Sequence, residues 1–455
     1  MPVYGTDTRE EVLAQAVPQE MRANLHKSIG AIITKGMLDD RGDAYVFNNT
    51  VQTLQDYLLK TKFPSAKTVD DKIKFLDQKI CAFGTAFVVH DNILVTSAHS
   101  LFDNVDQALN IDGFVEGAVV VFGWEASSGN AVPSSFPKSQ VYEIQDVLAI
   151  KTQRPDYCFL RTKSPIATSI PRLSFLQATS PGSTPTSTTP VKGGSIVTAG
   201  FPSGLAMKVV QGVIESYPPN ITNSPFPFMA SVLAGAAGSP IFSIQAGAVS
   251  PYVIGMVEAG RLGEDYQNVD GRVEEVQFDA TASIDPSLLQ RATRVEAMRW
   301  AIDSEAALRV TAQFEFMVDS ARPTSVALSC LDLKQQEHQL GVFSFADQSS
   351  SSPSVSMIVA PDAVKSLGLL PIEIQDLVLK IPQVQTTATS QAQRVQLYAV
   401  TLQIMNPDVD NHPDEFTEKR WKVFDKPKTV TISPLQLTFP VELRRNGGIS
   451  PADDI

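Results

Sequence analysis

A chain of 455 residues, 43% hydrophobic and 19% charged, has the composition of a soluble globular protein with room for two or three domains, each with its own core. Its 37 basic and 49 acidic residues leave a net charge of -12, and no Lys/Arg-dense run interrupts that acidity. A nucleic-acid groove is therefore not expected, while binding of a basic partner surface stays open.

No apolar run approaches the roughly 18–20 residues needed to cross a bilayer, so no membrane span is expected. Three cysteines, Cys81, Cys158 and Cys330, are too few and too odd in number for a disulfide framework and point to a reducing compartment. The start Met1-Pro2-Val3-Tyr4 lacks the basic region and apolar stretch of a signal peptide, which leads to the expectation of a cytoplasmic protein.

Residues 1–80 read as a polar, mostly helical N-terminal segment, with helical stretches at Arg9–Gln15, Glu20–Ile33 and Val51–Thr61. Two apolar threads run through it, Ile29–Ile33 and the Leu54/Leu58/Leu59 spacing. From Cys81 the texture changes to short β-rich runs separated by Gly, Pro, Asn and Asp. They are Phe83–Val89, Ile93–Ser97, Gly117–Gly123, Gln140–Ile150, Tyr157–Arg161, Ser195–Gly200, Lys208–Tyr217, Phe228–Val232, Pro240–Ile244 and Tyr252–Glu258. Strands at this spacing, with no long helix between them, indicate an all-β barrel or sandwich over 81–285. The Ser/Thr/Pro-rich stretch Thr179–Pro190 reads as an exposed loop.

The spacing of Leu288, Leu289, Val295, Met298 and Ala301 predicts a linking helix over Pro286–Glu305. A second β-rich domain follows over 306–445. Its runs are Leu308–Val318, Ser325–Leu331, Leu340–Phe345, Val355–Val359, Ile372–Ile381, Val395–Ile404 and Thr429–Leu443, which fit a β-sandwich. Ser349–Ser352 reads as a loop and 446–455 as a disordered tail.

Three sites carry chemistry, in one chain order. Ile93-Leu94-Val95-Thr96-Ser97-Ala98-His99 ends a buried strand on a histidine, after a small-residue turn, in the place of a general base. Arg154-Pro155-Asp156-Tyr157-Cys158-Phe159-Leu160 opens an apolar strand on an aspartate that can accept a histidine Nδ1–H and fix its tautomer. Gly235-Ala236-Ala237-Gly238-Ser239-Pro240 is a glycine-rich turn able to aim backbone N–H groups at one point. Taken singly, these are equally a turn histidine, a turn aspartate and a hairpin. Taken together and in order they are specific.

Thr96-Ser97-Ala98-His99 resembles the T-A-A-H of trypsin-like (chymotrypsin-fold) serine proteases. Asp156-Tyr157-Cys158-Phe159-Leu160 resembles their D-x-A-L-L, and Gly235 to Pro240 their G-D-S-G-G-P or the bacterial G-x-S-G-S-P. Ala199-Gly200-Phe201-Pro202 and the start Val3-Tyr4-Gly5-Thr6-Asp7-Thr8-Arg9 resemble the bacterial, V8-like branch. The resemblance covers roughly residues 1–285; none covers 306–455. It implies a mainly β fold, a chymotrypsin-like double β-barrel, with the C-terminal β-sandwich-like domain added to it. It also implies a serine endopeptidase acting on protein or peptide substrates; no Cys/His spacing suggests structural zinc and no Gly-rich phosphate loop with Lys occurs, so no cofactor or metal is expected. By the same resemblance His99 is the general base, Asp156 its orienter, the N–H groups of Gly235 and Ala237 the oxyanion hole, and Ala237 the nucleophile position.

Alanine at 237 departs from the family: a methyl group cannot attack a carbonyl, so the chain as it stands is expected to be inactive. Ser239, directly before Pro240, leaves the turn in another direction and is not expected to substitute. With His99, Asp156 and the glycines intact, deliberate replacement of the serine is favoured over a natural pseudoprotease that binds peptides. Ala236 stands where animal trypsins hold the aspartate that pairs with a freed N-terminal amine. That activation route is closed, leaving the N-terminal segment or the C-terminal domain as gates. The resemblance places Ser231 at the floor of the S1 pocket and Val257, Glu258 and Gly260 along its wall. Ser231 is not acidic, so a preference for Arg or Lys has no support; Glu258 either favours a basic or polar side chain or stands as an exposed rim residue. Asp408, Asp410, His412 and Asp414 form an acidic loop, read as solvated rather than as a cation site. The accessory domain is expected to recruit a substrate, a regulatory protein or another subunit; a third class, an assembly protein working through that domain, stays open.

Overall fold

The computed structural model describes residues 3–4, 7–102, 108–127, 131–152, 155–176, 190–217, 225–258, 265–278, 289–302, 307–316, 325–344, 354–359, 366–367, 369–374, 376–381, 393–405, 418–432 and 435–440. The chain divides into two units, Met1–Val295 and Glu296–Arg444.

In the first unit, six runs of small and β-branched residues close into a barrel. They are β1 (Ile29–Thr34), β2 (Ala82–His90), β3 (Ile93–Thr96), β4 (Ala118–Phe122), β5 (Val141–Lys151) and β6 (Tyr157–Thr162). Their order around the ring is β5-β6-β3-β2-β1-β4. Ile32, Val88, Leu94, Val120, Phe122, Ile144 and Leu160 fill its interior. Burying each such side chain contributes about 1.5–3 kcal/mol.

A second ring follows, made of β7 (Ser195–Gly200), β8 (Lys208–Ile214), β9 (Phe226–Met229), β10 (Pro240–Gln245), β11 (Ala248–Val257) and β12 (Gln290–Arg294). The order is β11-β10-β7-β8-β9-β12, and β12 closes it by pairing back onto β11. Ile196, Val210, Phe226, Phe228, Ile241, Ile254 and Ala292 form its core. The fold is thus the mainly β double barrel that the resemblance implies.

Two expectations are corrected here. The N-terminal segment is only partly helical: Gln19–Ala23 is a short helix, and Leu54–Asp56 continues as a wide turn over Tyr57–Lys62, with Leu54 and Leu58 buried. Ile29–Ile33, read as helical, is instead the barrel strand β1; a short run of isoleucines and small residues buried on both faces favours a strand. The linking helix predicted over Pro286–Glu305 is absent from the described part of that range. Gln290–Arg294 is strand β12, followed by two single 3₁₀ turns, Val295–Ala297 and Arg299–Ala301. Pairing with both β9 and β11 outweighs the local spacing, and the buried Val295, Met298 and Ala301 that suggested a helix stand on those turns. The two barrels therefore begin before residue 81 and end after residue 285.

Between β11 and β12 lies a hairpin, Tyr266–Val269 against Arg272–Glu275. Its two-residue turn has Asp270 at φ 50 and Gly271 at φ 86, the left-handed pair that matches strand twist. Tyr266 and Val273 share a core with Val3, Leu54, Leu58, Ile73, Leu205 and Leu233, so the N-terminal segment packs on this hairpin.

Among the described residues the second unit holds eight strands, β13 (Ala307–Phe316), β14 (Ser325–Leu331), β15 (Glu337–Ser344), β16 (Ser354–Val359), β17 (Asp376–Ile381), β18 (Gln393–Met405), β19 (Glu418–Ile432) and β20 (Leu435–Pro440). They form two four-stranded antiparallel sheets, β16-β13-β18-β19 and β15-β14-β17-β20, a sandwich-like arrangement. The run predicted at Thr429–Leu443 is in fact the end of β19 followed by β20. Residues 349–352, 446–455 and the acidic loop with Asp408, Asp410, His412 and Asp414 lie outside the described residues, as does nearly all of 179–190. Cys81, Cys158 and Cys330 are free and buried. Among the described residues no helix is long and apolar enough to cross a membrane.

Candidate active site

Strand β3 ends at Thr96, and the next residues turn at once into a 3₁₀ segment, Ala98–Leu101, capped by Ser97 Oγ accepting from the His99 N–H at 3.3 Å. That turn carries the His99 ring, 47% exposed, off the end of the first barrel. Asp156 immediately precedes β6, the neighbour of β3, and is 2% exposed. Adjacent strand ends thus bring the two together: His99 Nδ1 lies 2.7 Å from Asp156 Oδ2. The aspartate holds the ring with Nδ1 protonated, leaving Nε2 as the free base. Ser97 Oγ donates to the same carboxylate oxygen, and the Phe102 ring stacks on the imidazole at a centroid separation of 5.4 Å.

The hydrogen bond that His99 donates to Asp156 raises the His99 pKa above the ordinary 6.5 against the opposing effect of burial, and the charges of Asp156 and Glu258 add to it. Asp156 Oδ1 is buried and has no hydrogen-bond partner among the described residues.

The glycine turn comes from the other barrel, between β9 and β10, and Thr85 of β2 anchors it. Thr85 N donates to Ala237 O at 2.9 Å, and Thr85 Oγ1 donates to Gly235 O at 3.0 Å. Gly235 and Gly238 adopt φ of 92° and 91°. A Cβ on Gly238 would stand 2.0 Å from Thr85 O, so no other residue fits there. Among the described residues nothing accepts the N–H of Gly235 or of Ala237, whereas Ala236 N–H is taken by Leu233 O at 3.1 Å. Ala236 is buried in the core of the second barrel.

His99 and Gly235 line one cavity of about 840 Å³, with Tyr57, Phe83, Phe102 and Tyr266 among its walls. Such a volume accommodates several side chains of an extended peptide. Ser239, the alternative hydroxyl, is 1% exposed and lies against Gly200, away from that cavity.

The residues assigned to the S1 pocket are placed as follows. Ser231 is buried, with an Oγ that has no partner among the described residues. Val257 is buried at the end of β11 and exchanges backbone hydrogen bonds with the turn, Gly238 N to Val257 O and Val257 N to Ser239 O, both 2.9 Å. Gly260 lies outside the described residues. Glu258 is not a rim residue: it is 4% exposed, and Thr293 Oγ1 of β12 lies 2.7 Å from its carboxylate. The same Thr293 hydroxyl accepts from Asp156 N and lies 3.0 Å from Asp156 O.

Three residues that hold the site together were not singled out from the sequence. Ser97 lay inside the quoted motif without a role, Thr85 inside an apolar strand, and Thr293 inside the predicted helix. A buried threonine in a β-branched run is the only local signal for Thr85; Thr293 has none, because its partners are 137 and 35 residues away.

Residues 84–256 match the sequence model of the trypsin-like peptidase domain. Among solved structures, the chain is similar to a Glu endopeptidase in complex with MPD at 13% identity, TM-score 0.33, covering 57% of this chain and 88% of that one. It is also similar to Rv3671c from M. tuberculosis H37Rv, an inactive serine-to-alanine mutant, at 16% identity, TM-score 0.27, covering 55% and 86%. No curated protein matches the chain.

Proposed function

We propose, from the match of residues 84–256 to the sequence model of the trypsin-like peptidase domain, that the chain carries the machinery of a serine endopeptidase cleaving protein or peptide substrates, silenced by Ala237. The observation that carries this reading is the 2.7 Å contact of His99 Nδ1 with the buried Asp156 carboxylate. It supports a base with its tautomer fixed, and His99 lines the same cavity as Gly235, whose N–H meets no acceptor among the described residues.

In the proposed mechanism a serine hydroxyl at 237 gives its proton to His99 Nε2 as it attacks the scissile carbonyl. Asp156 stabilises the imidazolium, and the N–H groups of Gly235 and Ala237 stabilise the oxyanion. His99 then returns the proton to the leaving amine, and water repeats the sequence on the acyl-enzyme. With alanine at 237 only binding and the oxyanion donors remain. The intact triad partners support replacement of a native serine. Three free, buried cysteines support a reducing, cytoplasmic setting.

Proteolysis of a proteome-derived peptide library by Ala237→Ser tests the reading. Cleavage that falls by several orders of magnitude on adding His99→Ala is expected. Ala237 itself favours a second reading, a peptide-binding pseudoprotease using the same cavity. Silence of Ala237→Ser, together with tight peptide binding by the chain as it stands, would select it.

A further inference from the structure

Residues Ala234 and Gly235 are held from three sides. Asp265 Oδ2 accepts the Ala234 N–H at 3.0 Å, the N–H of Ser203 donates to Ala234 O, and a Cβ at Gly235 would stand 2.5 Å from Phe201 O. In a trans peptide the carbonyl and the following N–H point in opposite directions. Fixing Ala234 O on Ser203 therefore turns the Gly235 N–H away from the Phe201–Gly204 loop.

Ser203 makes that bond from an unusual backbone, φ 53 and ψ 23, followed by Gly204 at φ 73. A left-handed serine is strained and persists only where its surroundings dictate it. Here the surroundings are visible: Ser203 Oγ is 2.9 Å from Tyr266 OH. Asp265 thus grips Ala234 through its N–H, and Tyr266 grips the serine that binds the Ala234 carbonyl.

Behind them stands the N-terminal segment. Asp265 O accepts from Val276 N at 3.0 Å, and Val276 O accepts from Val3 N at 2.9 Å. Tyr266 pairs across the hairpin with Glu275, whose carboxylate is bound by the fully buried guanidinium of Arg9. Asp7 completes the ion cluster with Arg9 Nη2 at 2.8 Å. A contiguous chain of contacts runs from Val3, Asp7 and Arg9 to the Gly235 peptide. Alanine at 236 supplies no charge for any other anchor.

We propose that Asp265 and Ser203 are positioning residues which present the Gly235 N–H as an oxyanion donor, and that the N-terminal segment holds this clamp in place through Val3 and Arg9. The assignment rests on the oxyanion role of Gly235 proposed above.

In the Ala237→Ser protein, Asp265→Ala is expected to lower kcat about 10²–10³-fold with little change in KM, as loss of one oxyanion donor does. Asp265→Asn keeps an acceptor at the same place and restores most of that loss. Tyr266→Phe, which frees the Ser203 hydroxyl, lowers kcat in the same sense by a smaller factor. Arg9→Met, which breaks the remote anchor, again lowers kcat rather than raising KM. In the chain as it stands, the Gly235 amide resonance is expected to move in Asp265→Ala and to stay near its parent position in Asp265→Asn, with the thermal midpoint reported beside each. This second readout needs no catalysis, so it separates failure of the clamp from failure of the peptidase reading. An unmoved Gly235 amide in a folded Asp265→Ala protein overturns the proposal, as does a change confined to KM.

Discussion

Thr293 Oγ1 lies 2.7 Å from a carboxylate oxygen of Glu258, and the same hydroxyl accepts the backbone N–H of Asp156. The residue that orients the histidine is therefore fixed from behind by a strand of the other barrel, and a second carboxylate stands within reach of the imidazole field. Glu258 contributes to the raised pKa of His99, after the Asp156 hydrogen bond and charge. Glu258→Gln is expected to lower that pKa, and Asp156→Asn to lower it further. With five histidines in the chain, the ring resonances can be followed directly through a pH titration by NMR. No shift in Glu258→Gln would remove Glu258 from the electrostatics of the site.

The direction of that shift sets the pH dependence of activity. A base works only when neutral, and the interaction with Asp156 favours the protonated ring. For Ala237→Ser, kcat/KM is expected to rise with pH through an ionisation above the ordinary 6.5 of histidine. The linked stability has the opposite course: it is fully present below the unfolded pKa and lost as pH rises through the folded one. Adding Asp156→Asn is expected to cost about 10⁴ in kcat by releasing the tautomer. A pH profile flat from 5 to 9 would count against His99 as the base.

The Gly238 turn gives a stability prediction. Its φ of 91° and the 2.0 Å approach of an added Cβ to Thr85 O leave no room for a side chain. Gly238→Ala is expected to destabilise the first unit by at least about 2 kcal/mol. The cost falls on the joint between the barrels, because the displaced strand segment is the one whose Thr85 holds Gly235 and Ala237. Chemical denaturation of the variant measures it.

What could be read in the sequence follows from how far each signal reaches. Strand β3 with His99, the start of β6 with Asp156 and the glycine turn are each written in under ten residues, and chain order alone joined them. The runs from 81 to 258 likewise carry their own period and punctuation, so most barrel strands fall where expected. The errors lie where pairing outweighs local pattern. Ile29–Thr34 is strand β1 because β2 and β4 flank it on both sides, and Gln290–Arg294 is strand β12 because it closes a ring with partners 35 or more residues distant. The same non-locality hid Thr293, Ser203 and Asp265, whose roles exist only once distant segments meet. Glu258 reads as a rim charge from its place at a strand end, but β12 covers it.

The ion cluster under the hairpin has its own pH signature. Arg9 is fully buried between Asp7 and Glu275, so two carboxylates share one guanidinium. Burial, opposed by Arg9 and reinforced by the charge of Asp7, pushes the Glu275 pKa up to about 7 from an ordinary 4.5. Folding therefore favours protonated Glu275, and this group's contribution to stability is full below about 4.5 and falls as pH rises towards about 7. A shift of that size corresponds to roughly 3 kcal/mol. Glu275→Gln, neutral at every pH, is expected to flatten the decline between pH 4.5 and 7, while leaving Arg9 its bidentate contact with Asp7 through Nε at 2.9 Å and Nη2 at 2.8 Å. Urea titrations of both proteins at several pH values measure the slopes. Parallel curves would show that Glu275 is charged throughout, with Arg9 outweighing its desolvation.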